Sequence, residues 1–63
     1  MTGGELRRLR TKAGLTQAAL GERLGMHANS VARYERSEVG IPEPVARLAR
    51  LLLGGKAVPS KRR

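Results

Sequence analysis

The chain has no cysteine, no tryptophan and no phenylalanine, and its one aromatic side chain is Tyr34. Without cysteine, neither a disulfide framework nor a thiolate metal site can form. No apolar run is longer than Leu51 to Leu53, far short of the ~20 residues that span a bilayer. The opening MTGGELRR carries no apolar signal segment, so a cytoplasmic chain without membrane attachment is expected. Histidine occurs once, as His27, with no acidic partner at metal-ligand spacing, and no Ser or Thr stands in a nucleophile motif. Gly3-Gly4 and Gly54-Gly55 lack the spaced glycines and following lysine of a phosphate-binding loop and read as a flexible start and a helix stop. The expectation is no enzyme, no metal and no cofactor. Acidic residues are also scarce, five against thirteen Lys and Arg, and the resulting charge of +8 favours a polyanion such as nucleic acid. An anionic membrane would also attract this charge, but no helical pattern here carries the bulky aromatic face of a membrane-surface helix.

What is present suits thin helices. The apolar residues are mainly Leu, Ala and Val, and 63 residues make one small domain without room for a large cavity. The fold is read as all-α. Thr2 and Glu5 have capping-box spacing and open a helix from Gly3 to about Ala13, with Leu6, Leu9 and Ala13 inward and Gly14 as its stop. Thr16 caps a second helix, Leu15 can staple onto Leu20, and Gly25 after Leu24 closes it. Gly21 leaves room for another helix to cross closely. A third helix follows, with Val31 and Tyr34 inward. A loop, SEVGIPEP, leads to a fourth helix from about Pro44 to Leu53 whose inward stripe is Val45, Leu48, Ala49 and Leu52. Residues 1–53 are thus one domain, and 54–63 a flexible basic tail suited to nonspecific attraction to phosphate, or serving only as a solubilising end.

Helices two and three, joined at Gly25, form a helix-turn-helix pattern from Leu15 to Arg36. On the outward side of the third fall Ala28, Asn29, Ala32, Arg33 and Arg36. Those residue types match the major groove: Asn pairs bidentately with adenine, Arg with guanine, and an alanine methyl rests against thymine. His27, just ahead of this helix, stands where a cap or a phosphate contact would be.

The stretch LRRLRTKAGLTQAALGERLG followed by SVARYER, with Gln17, Gly25, Val31 and Glu35 in register, resembles the Cro and phage-repressor helix-turn-helix family, which includes xenobiotic-response-type regulators and antitoxins. The resemblance covers Leu6 to Leu53 and implies a lambda-repressor-like fold of four helices, or five, in a bacterial or phage-encoded protein of the nucleoid. It implies that Thr16 to Leu24 lies across the DNA backbone and that residues 28–36 are the recognition helix. Ala28, Asn29 and Arg33 would face base edges. Gln17 would bind phosphate and steady the recognition helix, with Ser30, Arg36 and His27 as further phosphate candidates. Arg10 and Glu35 match an ion pair tying helix one to helix three.

Three features depart from that pattern. Ser37 stands where glycine is frequent, Glu38 and Val39 replace a basic loop, and Gly21 replaces the usual alanine. Glu38 would repel phosphate. The chain stops after the fourth helix, so a dimer surface drawn from a fifth is not expected; Ile41, Leu51 and Leu53 are the candidates for a homodimer interface, or else complete the core. The function expected is a sequence-specific double-stranded DNA-binding regulator, a repressor or autoregulator that dimerises on a palindromic operator. The rival is a protein-interaction module of the same fold, such as an antitoxin holding a toxin or a bridging adaptor.

Overall fold

A computed structural model describes residues 1–54; the expected basic tail lies outside the described residues, apart from Gly54. The elements are α1 (Gly3–Lys12), α2 (Gln17–Leu24), α3 (Ala28–Glu35), α4 (Glu43–Ala49) and a π-helical turn (Arg50–Gly54). The fold is all-α.

Local chemistry sets most of these boundaries. Thr2 accepts from the Glu5 backbone N–H at 3.1 Å, and the Glu5 carboxylate accepts from Thr2 N–H at 3.0 Å, completing the capping box of α1. The Thr16 hydroxyl accepts from Ala19 N–H at 3.0 Å and caps α2. Three helix ends share one closure, in which a left-handed residue donates to the carbonyl three back and its successor to the carbonyl five back. Gly14 (φ 75°) closes α1 through Gly14 N–H to Thr11 O (3.0 Å) and Leu15 N–H to Arg10 O (3.1 Å). Gly25 (φ 76°) closes α2 through Gly25 N–H to Glu22 O (3.3 Å) and Met26 N–H to Gly21 O (2.8 Å). At α3 the left-handed residue is Ser37 (φ 62°), with Ser37 N–H to Tyr34 O and Glu38 N–H to Arg33 O both at 3.0 Å.

Leu6, Leu20, Val31 and Ala49 form the buried centre, with Leu15, Leu24, Met26, Tyr34, Ile41 and Leu53 packed against it. Two glycines make this packing possible. A Cβ on Gly3 would lie 2.4 Å from Tyr34 O and 2.7 Å from Glu35 O, so the start of α1 presses on the end of α3 backbone to backbone. Gly3 is therefore a packing residue and not a loose start. A Cβ on Gly21 would lie 2.6 Å from Met26 O, where α2 meets the turn into α3.

The inward faces differ from the sequence reading at two places. Ala13 is exposed, because it is the C-cap of α1 and the chain turns away at Gly14. The α-helix expected to reach Leu53 ends at Ala49; on it Ala46 and Ala49 are buried, whereas Leu48 (38%), and Leu52 (40%) in the π-helical turn, are exposed. The helix is rotated so that its small side chains enter the space left by the other three helices, and Ile41 and Leu53 supply bulk at its two ends. Among the described residues Leu51 is the most open large apolar side chain, at 55%.

Candidate nucleic-acid interface

The site is built on α3, held from behind at three points. Val31 is fully buried and Tyr34 half-buried against the core. The third anchor is Glu35, whose side chain is only 4% exposed and accepts three hydrogen bonds. Arg10 donates from Nε to Oε2 at 2.6 Å and from Nη2 to Oε1 at 3.1 Å, and Gln17 donates from Nε2 to Oε1 at 3.1 Å. Arg10 also donates from Nη1 to the Leu15 carbonyl at 2.9 Å. One carboxylate thus ties α1, the turn after it and the first residue of α2 to the last residue of α3. A buried carboxylate needs such partners, since an unpaired one would carry its full desolvation cost.

With that back face fixed, Asn29, Arg33 and Arg36 are left exposed along the front, one helical turn apart. Ala28 and Ala32 are half-buried on one flank. Ser30 lies on the other, half-buried beside a small depression it shares with Arg33, Tyr34 and Val39. His27 is the N-cap of α3, its Nδ1 accepting from Asn29 N–H at 3.1 Å, while the ring itself is exposed. Gln17 begins α2 half-buried, its amide directed at Glu35.

The α3 end holds a group that the sequence reading treated only as a repulsive charge. Glu38 accepts from Arg36 Nε through Oε2 at 2.7 Å, and its Oε1 stands 3.8 Å from Arg33 Nε. The hydrogen bond from Arg36 holds the Glu38 carboxyl below the usual carboxylate range, with the charges of Arg36 and Arg33 acting in the same direction. The same hydrogen bond raises Arg36. An ion pair across a non-helical turn has no periodic spacing, so the signal for it lay in Ser37: a left-handed residue there folds Glu38 back over the last turn of α3.

Of the residues considered for an interface between copies, Ile41 and Leu53 are partly buried against the core and Leu51 is open. Leu51 lines a shallow apolar groove with Pro44, Leu48, Glu43 and Arg47. No described helix is long and apolar enough to cross a membrane.

No curated protein and no solved structure matches the chain. A family model described as a helix-turn-helix domain matches residues 3–62, nearly the whole chain. The α2–turn–α3 unit closed at Gly25 is the helix-turn-helix that this description names. The chain belongs to this helix-turn-helix domain family, and by that membership is a DNA-binding domain.

Proposed function

We propose that the chain is a sequence-specific, double-stranded DNA-binding transcriptional regulator, a repressor or autoregulator that works by occupying an operator. The observation that carries this reading is the exposure of Asn29, Arg33 and Arg36 on one face of a helix whose other face is locked by Val31, Tyr34 and Glu35. In the major groove, Arg33 donates two hydrogen bonds to guanine, Asn29 pairs with adenine, and Ala28 lies against a thymine methyl. Arg36, Ser30, His27 and Gln17 lie around them as donors to phosphate, setting register without reading sequence.

One module of this size makes few base contacts, so the active form is a homodimer on a palindromic site. Its contact is the open face of Pro44, Leu48 and Leu51; Leu52 is exposed as well, and Ile41 and Leu53, partly buried against the core, add what they leave open. Residues 54–63 add nonspecific attraction to phosphate. Selection of bound duplexes from a random pool tests the proposal: enrichment of one palindrome supports function and symmetry together. A pool that stays unenriched would favour the protein-interaction alternative, in which the same leucines meet a toxin or adaptor partner.

A further inference from the structure

Glu38 occupies an unusual position. In the closure that ends α1 and α2, the residue after the left-handed one is apolar, Leu15 and Met26 respectively. At α3 the corresponding residue is Glu38, and the residue whose carbonyl it binds is Arg33. The hydrophobic contact that often accompanies this closure is here replaced by charge. Because Glu38 N–H is bonded to Arg33 O and Ser37 holds φ 62°, the carboxylate is carried over the end of α3 by backbone geometry and not by a chance side-chain encounter.

We propose that Glu38 is a specificity-determining residue that suppresses binding to arbitrary DNA while leaving operator binding intact. This rests on the reading of α3 as the recognition helix. The carboxylate hydrogen-bonds Arg36 Nε at 2.7 Å, so a backbone phosphate arriving at the remaining nitrogens of Arg36 shares that cation with an anion already bound to it. Attraction to any duplex is thereby reduced. Arg33 meets Glu38 through Nε, at 3.8 Å, which leaves Nη1 and Nη2 to donate to guanine. The same anion therefore opposes the sequence-independent contact and restrains the sequence-reading one in an extended position. Exposed ion pairs are weak, and a weak pair suffices, because the effect is read as a ratio of two affinities.

The test uses the full chain and two duplexes, the palindrome selected from the random pool and a scrambled version of it. Glu38→Gln should tighten binding to the scrambled duplex by about two- to fivefold. Its salt dependence should steepen by about 0.9 in log–log slope, one more phosphate engaged. Melting temperature should hardly change, and neither should affinity for the palindrome, where the phosphate contact eased at Arg36 is offset by the lost restraint on Arg33; discrimination therefore falls. Adding Arg36→Ala should abolish the gain on scrambled DNA. Glu5→Gln, which removes the same charge at the start of α1 and keeps an acceptor for Thr2 N–H, is the control. Equal tightening on both duplexes, or the same effect from Glu5→Gln, would reduce Glu38 to one unit of net charge and overturn the proposal, as would no change on either duplex. If the unaltered chain selects no duplex at all, the DNA reading itself fails and takes this inference with it; that outcome is separable because it appears before any variant is made.

Discussion

Arg10 in α1 and Glu35 at the end of α3 share a two-point ion pair, 2.6 Å from Nε to Oε2 and 3.1 Å from Nη2 to Oε1, with side chains only 13% and 4% exposed. Twenty-five positions separate them in sequence, and the pair ties the end of α3 to α1. Removing one partner strands the other. Glu35→Ala should cost about 3–5 kcal/mol, against a total stability of roughly 3–9 kcal/mol for a domain this size. Urea unfolding followed by circular dichroism reads it directly. The double replacement Arg10→Met, Glu35→Leu should lose less than Glu35→Ala alone, since it leaves no unpaired charge. A loss that is simply the sum of independent single effects would mean the two residues do not act together.

Gly3 and Gly21 should each refuse a methyl group. The nearest atoms to an added Cβ are backbone carbonyl oxygens at 2.4 Å and 2.6 Å, which no side-chain rotation can clear. Gly3→Ala and Gly21→Ala should each destabilise by about 1–3 kcal/mol, even though alanine is the better helix former. Gly4→Ala is the internal contrast, since its Cβ would meet only the Thr2 hydroxyl at 4.0 Å; it should be neutral or stabilising in thermal melts.

Ser37→Gly should raise stability. Serine at φ 62° is in a region that glycine adopts without steric cost. Relief of that strain, less the entropy glycine adds to the unfolded chain, leaves a gain of about 0.5–1 kcal/mol and a melting temperature several degrees higher. An unchanged or lower melting temperature would mean that the serine side chain compensates for its backbone.

The Glu5 carboxyl lies below its ordinary value because it accepts from Thr2 N–H, with the N-terminal charge and nearby arginines adding to the effect. A folded-state pKa held below the unfolded one gives stability that is present above the ordinary carboxylate range and lost as pH falls through the folded value. Glu5→Gln keeps an acceptor for Thr2 but cannot titrate. Between pH 5 and pH 2, taken as an approximate acid window, melting temperature should fall less steeply in this variant than in the unaltered chain. Parallel curves would remove Glu5 from the acid transition.

What could be read from the sequence was chiefly what neighbouring residues decide among themselves. The caps at Thr2 and Thr16 and the stops at Gly14 and Gly25 follow from hydrogen bonds spanning a few positions, so local spacing carries them. The outward row of Asn29, Arg33 and Arg36 follows from helical periodicity once Val31 is placed inside. The face α4 buries is different, because bulk assigns Leu48 and Leu52 to the interior and the space between the helices admits only Ala46 and Ala49. Gly3 looked like a loose end because the carbonyls it meets belong to Tyr34 and Glu35. The pairing of Arg10 with Glu35 came through family resemblance, since nothing in a separation of that length dictates contact.

Arg33 offers the most direct test of base reading by α3. Its side chain is 58% exposed and takes no part in the buried core, so Arg33→Ala should leave the melting temperature nearly unchanged. Duplex selection repeated with this variant should lose preference at one base position in each half-site. Affinity for the original palindrome should fall by about 1–3 kcal/mol, while scrambled duplexes are affected far less. An unaltered selected sequence at unaltered affinity would contradict base reading by α3.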